Sequence, residues 1–104
     1  MTPASDPLEG LKSRFRDRLA GERALLAESE AGGEFEALRS ICHRIAGAGG
    51  MFGFDELGAL ASRLEEAIDE GAPPSSIRGQ TTDLLAAIDR VVGQKVVHHE
   101  QASD

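Results

Sequence analysis

The residues with the clearest chemical potential in this chain are His43 and the small residues that follow it. They lie in segment 40–54, which reads SICHRIAGAGGMFGF. A neutral imidazole has a ring-nitrogen lone pair that can attack an electrophile, and histidine is the side chain that exchanges its proton near neutral pH. The glycines at 47, 49 and 50 would each cost a helix roughly 1 kcal/mol relative to alanine. A sequence that keeps them must gain something else, and such local conflicts usually mark function.

Helical periodicity divides this segment into an apolar stripe and an open face. The stripe consists of Leu38, Ile41, Cys42, Ile45 and Ala48 or Gly49. The face of His43 consists of Glu36, Arg39, Ser40, Ala46, Gly47 and Gly50. We therefore predict that His43 points outward beside nearly bare backbone, which leaves room for a bulky partner. The alternative is a helix that ends near Ala46, with the glycines in a loop.

The segment resembles the histidine-containing phosphotransfer (HPt) domain of bacterial phosphorelays. The family pattern is a histidine, an apolar residue two positions on, often a lysine three on, a glycine four on, a second glycine ten on, and a Leu-Glu pair in the next helix. This chain matches the pattern at His43, Ile45, Gly47, Gly53 and Leu64-Glu65. It departs at Ala46, where the family often has lysine. The resemblance extends roughly from Leu8 to Val97.

The resemblance implies that His43 accepts a phosphoryl group from a receiver-domain aspartate and transfers it to another. The implied partners are response-regulator receiver domains, a hybrid histidine kinase, or both. The receiver would supply Mg²⁺, so the chain itself would need no cofactor and no metal. Nothing in the sequence resembles an ATP site, so we expect a histidine phosphotransfer protein without kinase activity of its own.

The expected phosphoryl-binding and docking surface surrounds His43 and includes an apolar contribution from the first helix. Its members are Arg39, Ser40, Arg44, Ala46, Gly47 and Gly50. Arg39 or Arg44 could replace the missing lysine as the cation that attracts phosphate. Arg39 shares the face of His43 and is the better candidate, since Arg44 points about 100° away.

Two other interpretations of the sequence stay open. In the first, the chain is a non-catalytic helical adaptor that binds and regulates a receiver or histidine kinase without carrying phosphate, which the departure at Ala46 allows. In the second, it is a structural module such as a dimerisation domain. That role needs a self-complementary apolar patch outside the core, which the sequence does not show clearly. We therefore predict a monomer.

The composition favours a single helical domain. The chain has 104 residues, no Trp or Tyr and four Phe, so its core must be built from aliphatic side chains. A formal net charge of −7 argues against a nucleic-acid partner. The sequence shows neither a membrane-spanning apolar run nor a signal-peptide pattern, which predicts a cytoplasmic protein without membrane association. Its one cysteine, Cys42, lies on the apolar stripe and is interpreted as a small buried hydrophobe.

Four amphipathic segments predict an all-α, antiparallel up-and-down four-helix bundle. The first should run from Pro7, with Asp6 as N-cap, to near Glu30; the second from near Glu34 to Met51 or Phe52; the third from a cap at Asp55 to Gly71; and the fourth from Ser75 or Ser76. Phe52 and Phe54 should plug the core at the second turn. The predicted bundle spans 7–97, between disordered tails at 1–6 and 98–104, where His98-His99-Glu100 is expected to be solvated and not metal-bound.

Overall fold

The described residues, 7–103 for the backbone and 8–93 for side chains, form four α-helices in a computed structural model of the chain. Their bounds are α1, Pro7–Ala31; α2, Phe35–Met51; α3, Asp55–Asp69; and α4, Pro74–Ser103. The prediction of an all-helical bundle is confirmed. Segment 47–50 lies inside α2, so the glycines do not form a loop.

Each turn between helices is closed by a glycine with positive φ, and the turn after α2 illustrates the reason. Gly53 has φ +83°, which places the chain in the left-handed region that disfavours residues with a Cβ. The Phe54 amide donates to the Gly49 carbonyl at 2.8 Å, and the Gly53 amide donates to the Gly50 carbonyl at 3.4 Å. This Schellman pattern satisfies carbonyls that the helix end would leave unpaired, and it recurs at Gly33 and Gly71.

Paired contacts show that neighbouring helices run antiparallel. Arg39 of α2 contacts Asp69 of α3, and His43, one turn later in α2, contacts Glu65, one turn earlier in α3. The contacts between α1 and α4 run in opposite order in the same way, since Arg23 pairs with Asp89 and Glu30 pairs with Arg78. Between α1 and the α2 segment, Phe15 contacts Phe52 and Glu22 pairs with Arg44. Close backbone contacts also join α3 with α4, whereas within the described residues no Cα atom of α1 lies within 8 Å of one in α3, and none of α2 lies within 8 Å of one in α4. The helices therefore form a ring around one core.

The core consists of the predicted apolar stripes with one departure. Its buried members include Leu19, Leu26, Leu38, Cys42, Ile45, Leu57, Leu64, Ile77, Leu84 and Ile88. Phe52 and Phe54 lie 5.5 and 5.7 Å from the ring of Phe15, so the predicted plug at this turn is confirmed. Leu8 and Leu11 continue the helical spacing of Phe15, Leu19 and Leu26, which predicts that they join the core, but they are 43% and 45% exposed. Since α2 ends at Met51, opposite Phe15, the first turns of α1 extend past it.

The start of α3 differs from the sequence prediction. Its N-cap is Phe54, without a side-chain cap, and Asp55 is the first helical residue. Because Phe54 also closes the Schellman turn of α2, the chain re-enters a helix immediately and leaves no separate capping position. Asp55 and Glu56 instead place two carboxylates in the first turn, where the helix dipole favours them.

The fourth helix begins and ends outside its predicted limits. It begins at Pro74, because a proline is well accommodated at the first helical position. It continues to Ser103, past the expected end of the bundle at Val97, and segment 98–103 contains no glycine or proline that would end it. Residues 1–6, with the predicted cap at Asp6, lie outside the described residues, as does Asp104, so the assignments of these positions stay predictions. None of the described helices combines the length and apolar character needed to cross a bilayer.

Candidate functional site

His43 lies near the middle of α2 and points outward, as its position on the helix predicts. Its side chain is 73% exposed, whereas the preceding residue, Cys42, is completely buried. Burial raises the pKa of the Cys42 thiol to about 12, with a smaller contribution from the Glu65 carboxylate. The thiol is therefore a packed core group, as the sequence predicts, and the imidazole is the accessible nucleophile of this segment.

One nitrogen of the His43 ring has a protein partner. Nδ1 lies 3.0 Å from Oε2 of Glu65 in α3, and the Glu65 side chain is only 17% exposed. An ionised carboxylate only accepts hydrogen bonds, so this contact assigns the proton to Nδ1. In the neutral ring the lone pair then belongs to Nε2, which is the nitrogen available to solvent and to a partner. The pair thus fixes both the tautomer and the orientation of the ring.

Arg39 connects the same carboxylate to a second acidic residue on α3. Its Nη2 lies 3.3 Å from Oε2 of Glu65, while Nε and Nη2 donate to the two oxygens of Asp69 at 2.6 and 3.2 Å. These bonds lower the pKa of the Asp69 carboxyl, and the hydrogen bond to Asp69 raises the pKa of Arg39. The guanidinium of Arg39 is therefore already occupied by carboxylates.

Arg44 lies on the opposite flank of His43. Its Nε and Nη2 both approach Oε2 of Glu22 in α1, at 3.3 and 3.2 Å. The structure thus separates the two arginines that the sequence groups together: Arg39 faces α3 and Arg44 faces α1. Whether either replaces the lysine absent at Ala46 stays a prediction, because both are engaged in ion pairs.

The small residues predicted to surround His43 differ in how open they are. A Cβ added at Gly47 or Gly50 would meet no neighbouring atom within 4 Å, and both glycines are exposed. Ser40 is also exposed and lines an open depression of about 540 Å³ beside Arg39. Ala46 is half-buried and packs against the core. The open helix surface next to the imidazole therefore consists of Ser40, Gly47 and Gly50.

Gly49 has a different role from its two neighbours. A Cβ at Gly49 would lie 3.2 Å from the backbone nitrogen of Gly58 and 3.3 Å from its Cα, and Gly49 is buried. These are contacts with backbone, which cannot rotate away. Two glycines, Gly49 and Gly58, therefore allow α2 and α3 to approach closely beyond His43, a contact that the periodicity of one helix does not predict.

An apolar groove between α1 and the end of α2 lies on the Arg44 flank. Its volume is about 550 Å³, and its lining residues are Leu11, Arg14, Phe15, Asp17, Arg18 and Phe52. Met51 is 72% exposed at the same end of α2. The groove lies on α1, where the sequence predicts an apolar contribution to a docking surface, and that contribution stays a prediction.

The described residues contain no group of three or more His, Cys, Asp or Glu side chains arranged to hold a metal ion. The side chains of His98, His99 and Glu100 lie outside the described residues, so the expectation for that segment is a prediction still. Glu65 and Asp69 were missed as site residues. The Leu-Glu pair of the family pattern points to Glu65, and Asp69 follows one helical turn later.

Comparison with known proteins connects this geometry to one family. No curated protein and no solved structure matches the chain. The family model of the Hpt domain matches residues 9–94, which cover most of the chain and include all four helices in whole or in part. That family supports a phosphotransfer role in phosphorelays. The chain belongs to the Hpt domain family.

Proposed function

We propose that this protein is a phosphorelay intermediate that carries a phosphoryl group on His43. Hpt domains generally interact with receiver domains and histidine kinases. In the proposed reaction, His43 takes the phosphoryl group from the aspartate of one receiver and transfers it to the aspartate of another. A cytoplasmic location belongs to the same proposal.

The observation that carries the proposal is the orientation of the His43 ring. With Nδ1 bound to Glu65 at 3.0 Å, the lone pair of Nε2 points away from the bundle. Nε2 attacks the phosphorus of an aspartyl phosphate, a new N–P bond forms, and the bond from phosphorus to the aspartate oxygen breaks. The donor leaves as a carboxylate. The ring keeps its proton on Nδ1 and becomes a phosphoimidazolium, whose positive charge lies against the Glu65 carboxylate.

Retention of that proton favours onward transfer. A protonated ring is a better leaving group than a neutral one, so the Glu65 carboxylate keeps the N–P bond ready to break when a second receiver aspartate attacks. The same steps then run in reverse, and Nε2 recovers its lone pair. The protein provides a reversible carrier and consumes no further reagent.

The charges around His43 support the proposal that the partner supplies cationic stabilisation. On the α3 flank, one guanidinium, Arg39, lies among the carboxylates of Glu65 and Asp69. On the other flank, Arg44 is paired with Glu22. Neither arginine is free to neutralise a phosphoryl group in the unbound protein. We therefore assign that task to Mg²⁺ in the receiver, and a chain without a cofactor of its own belongs to the same proposal.

The proposed docking surface is the open face of α2 together with the groove beside α1. Ser40, Gly47 and Gly50 present little side-chain bulk around the imidazole, which permits in-line approach. Arg14 and Arg18 are exposed along the groove and suit an acidic receiver surface. Arg39, Arg44 and Ala46 complete the surface at its edges.

A phosphotransfer assay tests the proposal. The purified protein and its His43→Ala variant are incubated with a phosphorylated receiver and Mg²⁺, and the products are examined for acid-labile, base-stable phosphate. We expect label on the wild-type protein and complete loss of label in the variant. Because the variant retains His98 and His99, it also controls for phosphorylation of any other histidine.

Equal labelling of the two proteins would overturn the assignment of His43. Absence of label with a broad panel of receivers would favour the non-catalytic adaptor instead. In that case the His43→Ala variant should bind and regulate its partner as well as the wild type does.

A further inference from the structure

We propose that Asp69 is a positioning residue for His43, which it influences through Arg39 and Glu65. The proposal rests on the proposed role of His43 as phosphoacceptor, and it names a residue that touches neither the imidazole nor the phosphoryl group. Asp69 lies one helical turn beyond Glu65 on α3, and Arg39 lies one turn before His43 on α2. The antiparallel packing of the two helices brings the four side chains together.

The central atom of this arrangement is one carboxylate oxygen. Oε2 of Glu65 accepts from Nδ1 of His43 at 3.0 Å and lies 3.3 Å from Nη2 of Arg39. The oxygen is therefore held from two sides. Any change in how Arg39 binds Glu65 alters the position or the charge of the oxygen that orients the imidazole.

Asp69 determines how much of Arg39 is available to Glu65. The Nε and Nη2 edge of the guanidinium binds both oxygens of Asp69, and its shortest bond, at 2.6 Å, is the one from Nε. Without Asp69, that edge would be free to bind both oxygens of Glu65 in the favoured bidentate geometry. Arg39 would then compete with His43 for Oε2. Asp69 thus reserves the Glu65 carboxylate for the imidazole.

No other described charge substitutes for Asp69 in this arrangement. Glu36, on α2, also acts electrostatically on Arg39, but no hydrogen bond joins the two among the described residues. Arg44 is directed toward Glu22 of α1, away from α3. The charged groups that face the Arg39 guanidinium are therefore Glu65 and Asp69 from α3 and Glu36 from its own helix.

The chain offers a matched control for this proposal. Arg23 and Asp89 form the same kind of bidentate pair between α1 and α4, with distances of 2.7 and 3.0 Å. The exposure of the side chains is similar, at 42% and 56% for this pair against 41% and 49% for Arg39 and Asp69. Asp69→Asn and Asp89→Asn therefore remove equivalent surface ion pairs, and only the first is connected to His43.

The experiment measures the ¹⁵N chemical shifts of the His43 ring, which report the fraction of neutral imidazole protonated on Nδ1. The signals are assigned by their loss in His43→Ala. We expect the Nδ1–H form to dominate in the wild type and in Asp89→Asn. In Asp69→Asn the ratio of the two tautomers should shift toward Nε2–H by about two- to fivefold, the range that an exposed ion pair can supply.

Two further measurements complete the test. Asp69→Glu retains the carboxylate and should restore much of the wild-type ratio. Labelling of His43 by phosphoramidate, a small donor that needs no docking, should slow in Asp69→Asn in proportion to the fall in the fraction of Nδ1–H imidazole, and it should stay unchanged in Asp89→Asn. Comparable thermal unfolding of the two Asn variants would confirm that stability does not cause the difference.

Identical tautomer ratios in Asp69→Asn and Asp89→Asn would overturn the positioning role. The ring measurement requires no phosphate, so its outcome is independent of the proposed function. A wild-type protein that receives no phosphate from any donor would instead overturn the function, whatever the tautomer of His43.

Discussion

The two faces of α2 place residues that are adjacent in the sequence in opposite environments. Cys42 is completely buried, whereas the next residue, His43, is 73% exposed. Gly49 lies against the backbone of α3, whereas the next residue, Gly50, has open space where a side chain would lie. A rotation of about 100° per residue separates the packed core from the exposed surface within one peptide step.

This comparison shows that the glycines of segment 47–50 meet two separate requirements. Gly49 allows α2 and α3 to pack closely, which is a requirement of the fold. Gly47 and Gly50 have no such packing role, since a Cβ at either would meet nothing within 4 Å. Both glycines lower the stability of the helix. The proposed docking surface explains why they are present, because they leave space for a partner next to the imidazole. The same residue type therefore has a structural cause on one face and a proposed functional cause on the other.

The largest expected effect concerns the buried face, where the Cys42 thiol should react far more slowly in the native protein than in the unfolded chain. Its pKa is raised from the ordinary 9.0 to about 12, which lowers the thiolate fraction near pH 8 by about a thousandfold. We expect iodoacetamide to alkylate the native protein at least that much more slowly than the chain unfolded in urea. Mass spectrometry over time measures both rates. Alkylation of native Cys42 within tenfold of the unfolded rate would show that this face of α2 is open.

A single substitution placed on each face should separate folding from transfer. Gly49→Gln forces a side chain against the Gly58 backbone, where even a Cβ would lie at 3.2 Å. Overpacking of this kind should lower the free energy of unfolding by about 3 kcal/mol. Urea denaturation followed by circular dichroism measures the loss.

The matched variant, Gly47→Gln, carries the same side chain two residues earlier. Since this position is open and glutamine is a better helix former than glycine, its free energy of unfolding should stay the same or rise by up to about 1 kcal/mol. Transfer from a phosphorylated receiver should fall by tenfold or more because the side chain obstructs docking, while labelling by phosphoramidate should continue. Normal receiver transfer by Gly47→Gln would contradict the proposed docking surface. Wild-type stability of Gly49→Gln would contradict the packing role of Gly49.

Periodicity predicted what depends on one helix alone. The faces of Cys42 and His43 follow from the rotation per residue, and the end of α2 before Gly53 follows from the glycine itself. The contact of Gly49 with Gly58 depends on the register between two helices, which a single sequence does not specify. The missed cap at Asp55 has a similar origin, because Phe54 closes α2 and starts α3 at once.

The sequence contains more information about the charged partners of His43 than about the contact between Gly49 and Gly58. Arg39 and His43 are four residues apart on α2, and Glu65 and Asp69 are four apart on α3. In an antiparallel pair of helices, two such spacings can align and bring opposite charges together. What the sequence lacked was the distance that assigns each partner: 3.0 Å from His43 to Glu65 and 2.6 Å from Arg39 to Asp69.

The smallest expected effect concerns the acid titration of Asp69, whose carboxylate binds Arg39 where α2 meets α3. The hydrogen bond from Arg39 lowers the pKa of Asp69 below its ordinary value of 3.8. The pair therefore contributes its full stabilisation above about pH 4 and loses it as the pH falls through the lowered pKa.

In Arg39→Gln, the Asp69 pKa should return toward its ordinary value, and the free energy of unfolding should no longer include the contribution of this pair above about pH 4. Carboxyl ¹³C titration by NMR measures the pKa directly, with Arg23→Gln as the control that leaves Asp69 unchanged. An Asp69 pKa that is the same in Arg39→Gln as in the wild type would show that the guanidinium does not hold this carboxylate in solution, and the path from Asp69 to His43 would then lack its first link.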